Sequence, residues 1–248
     1  INSTFCVQTA EGAFALQRVH EEIPDSALED MEVVTAYLAE HEFLVPRILR
    51  SRADTLFVRD HERARWRLYC WVPGTVRNSL EDSAAARSAG IFLGKLHRAL
   101  ATLKYQLKGS IPHFHDTPYI ASKLAALKGH ILEAVRAMPE NVAEGLTATV
   151  ESITEQALIV LPHLFLTEVV AGAPQLIHGD PKASNLLWNE TGEVVGILDC
   201  DTFLYHFPAI DVGDALRSWC KRQGADGASA FDLEKYRSAT EGYCAGLG

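Results

Sequence analysis

The chain has 248 residues, 48% hydrophobic and 22% charged, an ordinary globular composition with enough length for one large domain or two lobes. Its net charge of −9, from 23 basic and 32 acidic residues, argues against non-specific binding to nucleic acid or to an anionic membrane. The five cysteines are scattered without a C-x-x-C pair, which reads as reduced thiols in a cytoplasmic protein, not as a disulfide framework or a zinc site.

In chain order, INSTFCVQTAEG has neither the basic start nor the apolar centre of a signal peptide, and no later segment approaches membrane-spanning length. Residues 3–19 predict a hairpin, STFCVQT and AFALQRV about the turn Ala10-Glu11-Gly12. Ser26 with Glu29 forms a capping-box pattern, and Leu28, Met31, Thr35 and Leu38 continue at helical spacing to about His41. Residues 44–49, 55–59 and 66–72 predict further strands. Pro73-Gly74 then punctuates the chain. Beyond it, 84–103 carries Ala85, Ala89, Phe92, Leu96 and Leu100 on one helical face. Thr117-Pro118 reads as an N-cap with proline at the first position, opening a helix to about Met138, and 142–161 predicts another. Short strands are expected at 176–177, 185–188 and 194–198, with helix again after Pro208. The tryptophans, Trp66, Trp71, Trp188 and Trp219, read as core. The expected class is α+β: a β-rich lobe over residues 1–72 that would bind a nucleotide, then a larger helical lobe over 73–248.

The chemistry concentrates in HGDPKASN, His178 to Asn185, and in LDCD, Leu198 to Asp201, just past an apolar strand. Short strands would deliver Asp180, Asn185 and Asp199 to their ends, where side chains can converge. Phosphoryl transfer needs a base for the attacking hydroxyl, oxygen ligands for Mg²⁺ and a cation for the phosphate. Asp180 suits the base and Lys182 the cation. Asn185 and Asp199 suit magnesium, which prefers carboxylate, carboxamide and phosphate oxygens. The implied cofactors are ATP and Mg²⁺, and the implied partner is a small hydroxyl acceptor. A metallohydrolase built from His178, Asp180, Asp199 and Asp201 and a non-catalytic nucleotide-binding relative are the alternatives.

The spacing H-x-D-x-K-x-x-N, followed by an apolar strand ending in aspartate, resembles the protein-kinase catalytic loop and metal-binding aspartate. Gly179-Asp180, without an activation segment, resembles the aminoglycoside phosphotransferase superfamily. The stretches INSTF, ALQRV, AGIFLGKLH, FHDTP and LDCDTF…DVGDALRSW are similar to its N-acetylhexosamine kinase group. The resemblance implies a protein-kinase-like two-lobe fold with the nucleotide near Tyr69 to Gly74. It gives His178 and Asp211 structural roles around the catalytic loop, and makes Asp201 a second acid near the metal. There is no lysine before Lys95, so the phosphate-holding lysine of the small lobe has no counterpart. Gln17 or Arg18 stands at that strand position, with Glu32 or Glu29 as a helix partner. The resemblance also places the glycines of the phosphate-covering loop upstream of Ile1 and further helices past Gly248.

Overall fold

The computed structural model describes residues 2–164, 173–223 and 229–248. In chain order, the elements begin with β1 (Ser3–Thr9), β2 (Gly12–Val19), α1 (Asp25–Glu40), β3 (Ile48–Leu49), β4 (Val58–Arg59) and β5 (Arg65–Cys70). Next come β6 (Thr75–Val76), α2 (Ser83–Thr102), α3 (Thr117–Arg136) and α4 (Glu140–Leu164). The rest are β7 (Gln175–Ile177), β8 (Leu186–Trp188), β9 (Val194–Ile197), β10 (Leu204–His206), α5 (Pro208–Trp219), β11 (Lys221–Gln223), β12 (Ser229–Phe231) and α6 (Leu233–Leu247). The architecture is mixed α+β. It divides into two compact units: Ile1–Pro112 with Ala173–Gly248, and His113–Gly172.

In the first unit, β1 and β2 pair antiparallel from Ser3↔Arg18 to Thr9↔Gly12, and Gly12 enters β2 at φ +131°, a value that suits glycine alone. The sheet continues β1-β2-β5-β3, with β4 also on β5. Strand β5 buries every second residue, Arg65, Arg67 and Tyr69, as the two-residue strand period requires. Helix α1 buries Leu28, Met31, Val34, Thr35 and Leu38. The expected capping box is absent. The helix begins one residue before Ser26, with Pro24 at the N-cap and no side-chain cap bond. Charge partners decide this: Asp25 is drawn into the first turn by Arg65 (2.5 Å), and Glu29 reaches Lys108 Nζ (2.7 Å). Of the tryptophans, Trp188 and Trp219 are core, whereas Trp71 lies just past the end of β5 and is 50% exposed.

Helices α2 and α6 cross with their backbones in near contact. A Cβ on Gly90 would fall 2.1 Å from Ala239 O, and one on Gly94 2.4 Å from Tyr243 O. From the other side, Cβ atoms on Gly242 and Gly246 would each come within 2.3 Å of an α2 carbonyl, that of Arg87 or Ile91. Glycine at each position permits the approach, which brings Tyr243 over α2. After α1, Leu44 makes a parallel bridge to Gly196. Its N–H donates to Val195 O (3.1 Å) and its carbonyl accepts from Ile197 N (3.0 Å), fastening this segment to the strand that precedes Asp199.

The second unit is the hairpin of α3 and α4. The N-cap of α3 is Asp116, one residue before the expected Thr117, because its carboxylate accepts from Tyr119 N (3.0 Å). His113 Nδ1 lies 2.9 Å from the other carboxylate oxygen, and its ring stacks on Tyr119 at 3.6 Å. Asp116 is thus a capping residue. Among the described residues no helix is long and apolar enough to cross a membrane.

Candidate active site

The loop between β7 and β8 is held from beneath by one buried carboxylate. Asp211, in the first turn of α5 and 0% exposed, accepts from His178 N (2.8 Å) and Gly179 N (2.7 Å). Its second oxygen also meets His97 Nε2 at 3.0 Å, and His97 Nδ1 lies 2.8 Å from Tyr243 OH. Burial alone would raise the Asp211 pKa. The His97 hydrogen bond, the charges of His97 and His178 and the Gly179 N–H outweigh it, leaving the group below the usual carboxylate range. The α2–α6 crossing therefore reaches the loop through Tyr243, His97 and Asp211.

His178 is fully buried and uses both ring nitrogens on the backbone. Nε2 faces Leu198 O (3.0 Å), and Nδ1 accepts from Asp180 N (3.2 Å). Neither is left for a metal, so the metallohydrolase ligand set does not form. Gly179 passes at φ +91°, and the loop is braced further by Trp219 Nε1 on Pro181 O (3.0 Å) and by Ala183 N on Ser218 Oγ (3.0 Å).

Above this base the predicted chemical groups come together. Asn185 donates Nδ2 to Asp180 O (2.8 Å) and Asp180 Oδ2 (3.2 Å). With its amide nitrogen so placed, its amide oxygen remains available as a ligand. The Asn185 carbonyl accepts from Leu198 N (2.7 Å), which puts Asp199 next to the loop. Asp199 adopts φ +58°, a left-handed conformation unusual for a non-glycine residue. Burial first, then the Asp201 charge, hold its carboxyl above the usual range. Lys182 Nζ forms an ion pair with Asp180, so here it rests on the base and not toward an incoming phosphate.

Asp201 is buried. Its Oδ2 accepts from Arg67 (2.5 Å) and Asn2 Nδ2 (2.7 Å), while its Oδ1 is buried with no hydrogen-bond partner. That orphaned oxygen, the Asp199 carboxylate and the Asn185 amide oxygen are the hard donors that magnesium takes. Among the described residues no group of three or more His, Cys, Asp or Glu side chains could hold an ion by itself. Donors of this chemistry suit a metal whose remaining ligands are phosphate and water.

The small sheet departs from expectation. Glu32 meets neither Gln17 nor Arg18. Met31 occupies the inward face of α1, and Glu32, one step round the helix, holds Arg50 (2.6 Å). Arg18 is exposed on the face of β2 opposite Gln17. Gln17 faces the site, but its Oε1 accepts from Arg67 Nε (2.8 Å) and its Nε2 donates to Thr4 (2.9 Å). The buried cation here is Arg67 of β5, which sequence reasoning missed. Its only sequence signal was the alternation of arginines in RWRLYC.

Residues 1–242 match the phosphotransferase enzyme family. An amicoumacin kinase in complex with AMP-PNP, Ca²⁺ and Ami is similar in fold, with a TM-score of 0.62 and 16% identity over 98% of this chain and 69% of that one. An aminoglycoside phosphotransferase from Alicyclobacillus acidocaldarius gives 0.60 and 17%, covering 86% of this chain and 64% of that one. A microcompartment-associated aminopropanol kinase gives 0.56 and 15%, covering 98% and 75%. The fold is the kinase-like one of these proteins.

Proposed function

This chain belongs to the phosphotransferase enzyme family and is an ATP-dependent small-molecule kinase, and from that premise we propose that its acceptor is a neutral sugar such as an N-acetylhexosamine. The observation that carries the site assignment is the Asn185 side chain. One amide group touches the candidate base Asp180 (3.2 Å), and the same residue's carbonyl ties down the segment bearing Asp199 (2.7 Å to Leu198 N).

In this reading residues 1–72 bind the nucleotide beside Tyr69 to Gly74, and 73–248 carry the catalytic groups. Asp180 orients the acceptor hydroxyl and takes its proton as the acceptor oxygen bonds to the γ-phosphorus. The bond to the β-phosphate bridging oxygen breaks, and ADP leaves. Lys182, beside Asp180, faces the incoming phosphate once its resting ion pair opens. Asn185, Asp199 and Asp201 would hold Mg²⁺, which neutralises phosphate charge when bound. His178 and Asp211 keep the loop in place. The five free thiols and the need for ATP suit a cytoplasmic setting.

Packing around the loop supports a neutral acceptor. A quaternary amine calls for open aromatic faces, yet Phe203 is buried edge-on against His178 and Trp219 is buried against Pro181. The net charge of −9 favours a competing reading, a polycationic aminoglycoside or an amino alcohol. The test follows γ-labelled ATP with N-acetylhexosamines, an aminoglycoside, 1-amino-2-propanol, choline and homoserine. The highest kcat/KM on a sugar supports the proposal. Preference for any amine overturns the acceptor assignment, and label released only to water overturns the transferase assignment.

A further inference from the structure

The Arg67 side chain is 1% exposed, and its Nε and Nη2 donors are used inside the protein. Nε binds Gln17 (2.8 Å), Nη2 binds Gln17 and Asp201 Oδ2 (2.5 Å), and Nη1 lies against Met31 Sδ (3.7 Å). Its face covers the Tyr69 ring at 5.0 Å. A guanidinium so occupied is not placed to grip a phosphate. Its charge is directed at Asp201.

The Asp201 side chain is 2% exposed and asymmetric. Oδ2 carries both Arg67 and Asn2, whereas Oδ1 is buried and bare. An orphaned buried carboxylate oxygen calls for an explanation, commonly an ion or a water. This one stands two residues after Asp199, in the turn Cys200–Thr202.

We propose that Arg67 is a positioning residue for the divalent ion that accompanies ATP: with Asn2 it pins Oδ2 of Asp201, leaves Oδ1 to the ion, and ties β5 to the metal end of the site. The proposal rests on the kinase reading above. It separates this chain's small-lobe cation from the phosphate-gripping role expected of Gln17 or Arg18, and makes it the support of a metal ligand.

The experiment titrates Mn²⁺ by the paramagnetic resonance of the free ion, in the presence of AMP-PNP, alongside thermal melts. Arg67→Met leaves the buried Asp201 charge unpaired, and its melting temperature should fall. Arg67→Met with Asp201→Asn removes both charges. Melting should return toward the parent in that double variant, whereas folded Arg67→Met, with Asp201 kept, should bind Mn²⁺ about 10- to 100-fold more weakly, the scale for losing a ligand's supporting contacts. A merely structural brace would lower the melting temperature alone, so parental Mn²⁺ affinity in Arg67→Met, measured well below its melting temperature, overturns the proposal. Asp201→Asn alone, with Arg67 kept, covers the case in which Arg67→Met does not fold. It should lose Mn²⁺ affinity on the same scale, and parental affinity there overturns the proposal as well. A parent protein that binds no Mn²⁺ with AMP-PNP would overturn the kinase reading and this proposal together.

Discussion

Replacing Asp211 with Asn tests how the catalytic loop is held. Every partner of this carboxylate is a donor: His178 N at 2.8 Å, Gly179 N at 2.7 Å and His97 Nε2 at 3.0 Å. A carboxylate has only acceptors and satisfies all of them, whereas an asparagine turns one of its two positions into an NH₂ group. Whichever way the amide sits, it faces a donor, removes a charge-assisted bond and leaves a buried N–H unpaired. From those two losses the expected destabilisation is roughly 3–5 kcal/mol. That is a large share of the roughly 5–15 kcal/mol that holds a typical domain together. For a chain of this size it corresponds to a fall in melting temperature of about 6–20 °C. The pH dependence adds a sign. Because the folded-state pKa of Asp211 is depressed, its stabilisation is complete above the unfolded carboxylate value of about 3.9 and is lost as pH falls through the lower folded value. Asp211→Asn should therefore flatten the acid limb of the stability profile. The assay is urea denaturation followed by circular dichroism, at neutral pH and at steps down to strong acid. A loss below about 1 kcal/mol, or an unchanged acid limb, would refute the account of Asp211 as the anchor.

Two further outcomes follow from the geometry. Asp180→Asn should leave affinity for ATP nearly intact and lower kcat by at least about 10²-fold, the scale of general-base catalysis, and near-normal turnover would remove Asp180 from that role. Gly94→Ala would put a methyl carbon 2.4 Å from Tyr243 O, against backbone that cannot yield as a side chain does. It should cost about 1–3 kcal/mol despite alanine's better helix propensity, and a melt equal to or above the parent's would show that the α2–α6 crossing has slack.

The catalytic loop could be read in the sequence because its chemistry is local. Asp180, Lys182 and Asn185 are neighbours in sequence, and the kinase-like spacing and the strand before Asp199 said which groups would meet. The elements were legible for a similar reason, since the period-two run of β5 and the apolar face of α2 are local patterns. What holds the loop was harder to see. His97 lies on a helix whose apolar stripe explains its neighbours without it, and its partner Asp211 is 114 positions away. The buried Arg67 went unread because strand position says which residues share a face, not what that face meets. Alternation put Arg65, Arg67 and Tyr69 together on β5, but only the fold brings Arg67 to Asp201, 134 positions on.

The expected capping box and the expected pairing of Glu32 with β2 fail in the same way. Ser26 with Glu29, and Glu32 opposite β2, each satisfied a local rule, and in each case a distant ion pair took the side chain instead: Lys108 took Glu29, and Arg50 took Glu32. Both pairs are largely exposed, so each is worth little by itself; what they share is a partner distant in sequence that a local rule does not contain. The Arg67 pair differs in being buried, and there an unmatched charge is costly. Once Asp201 is buried beside Asp199 it requires a cation, and β5 supplies one whose other donors Gln17 already holds. The absence of a lysine before Lys95 thus does not leave Asp201 without a positive partner. The charge arrives from a different strand, β5, and lies on the buried Asp201 carboxylate.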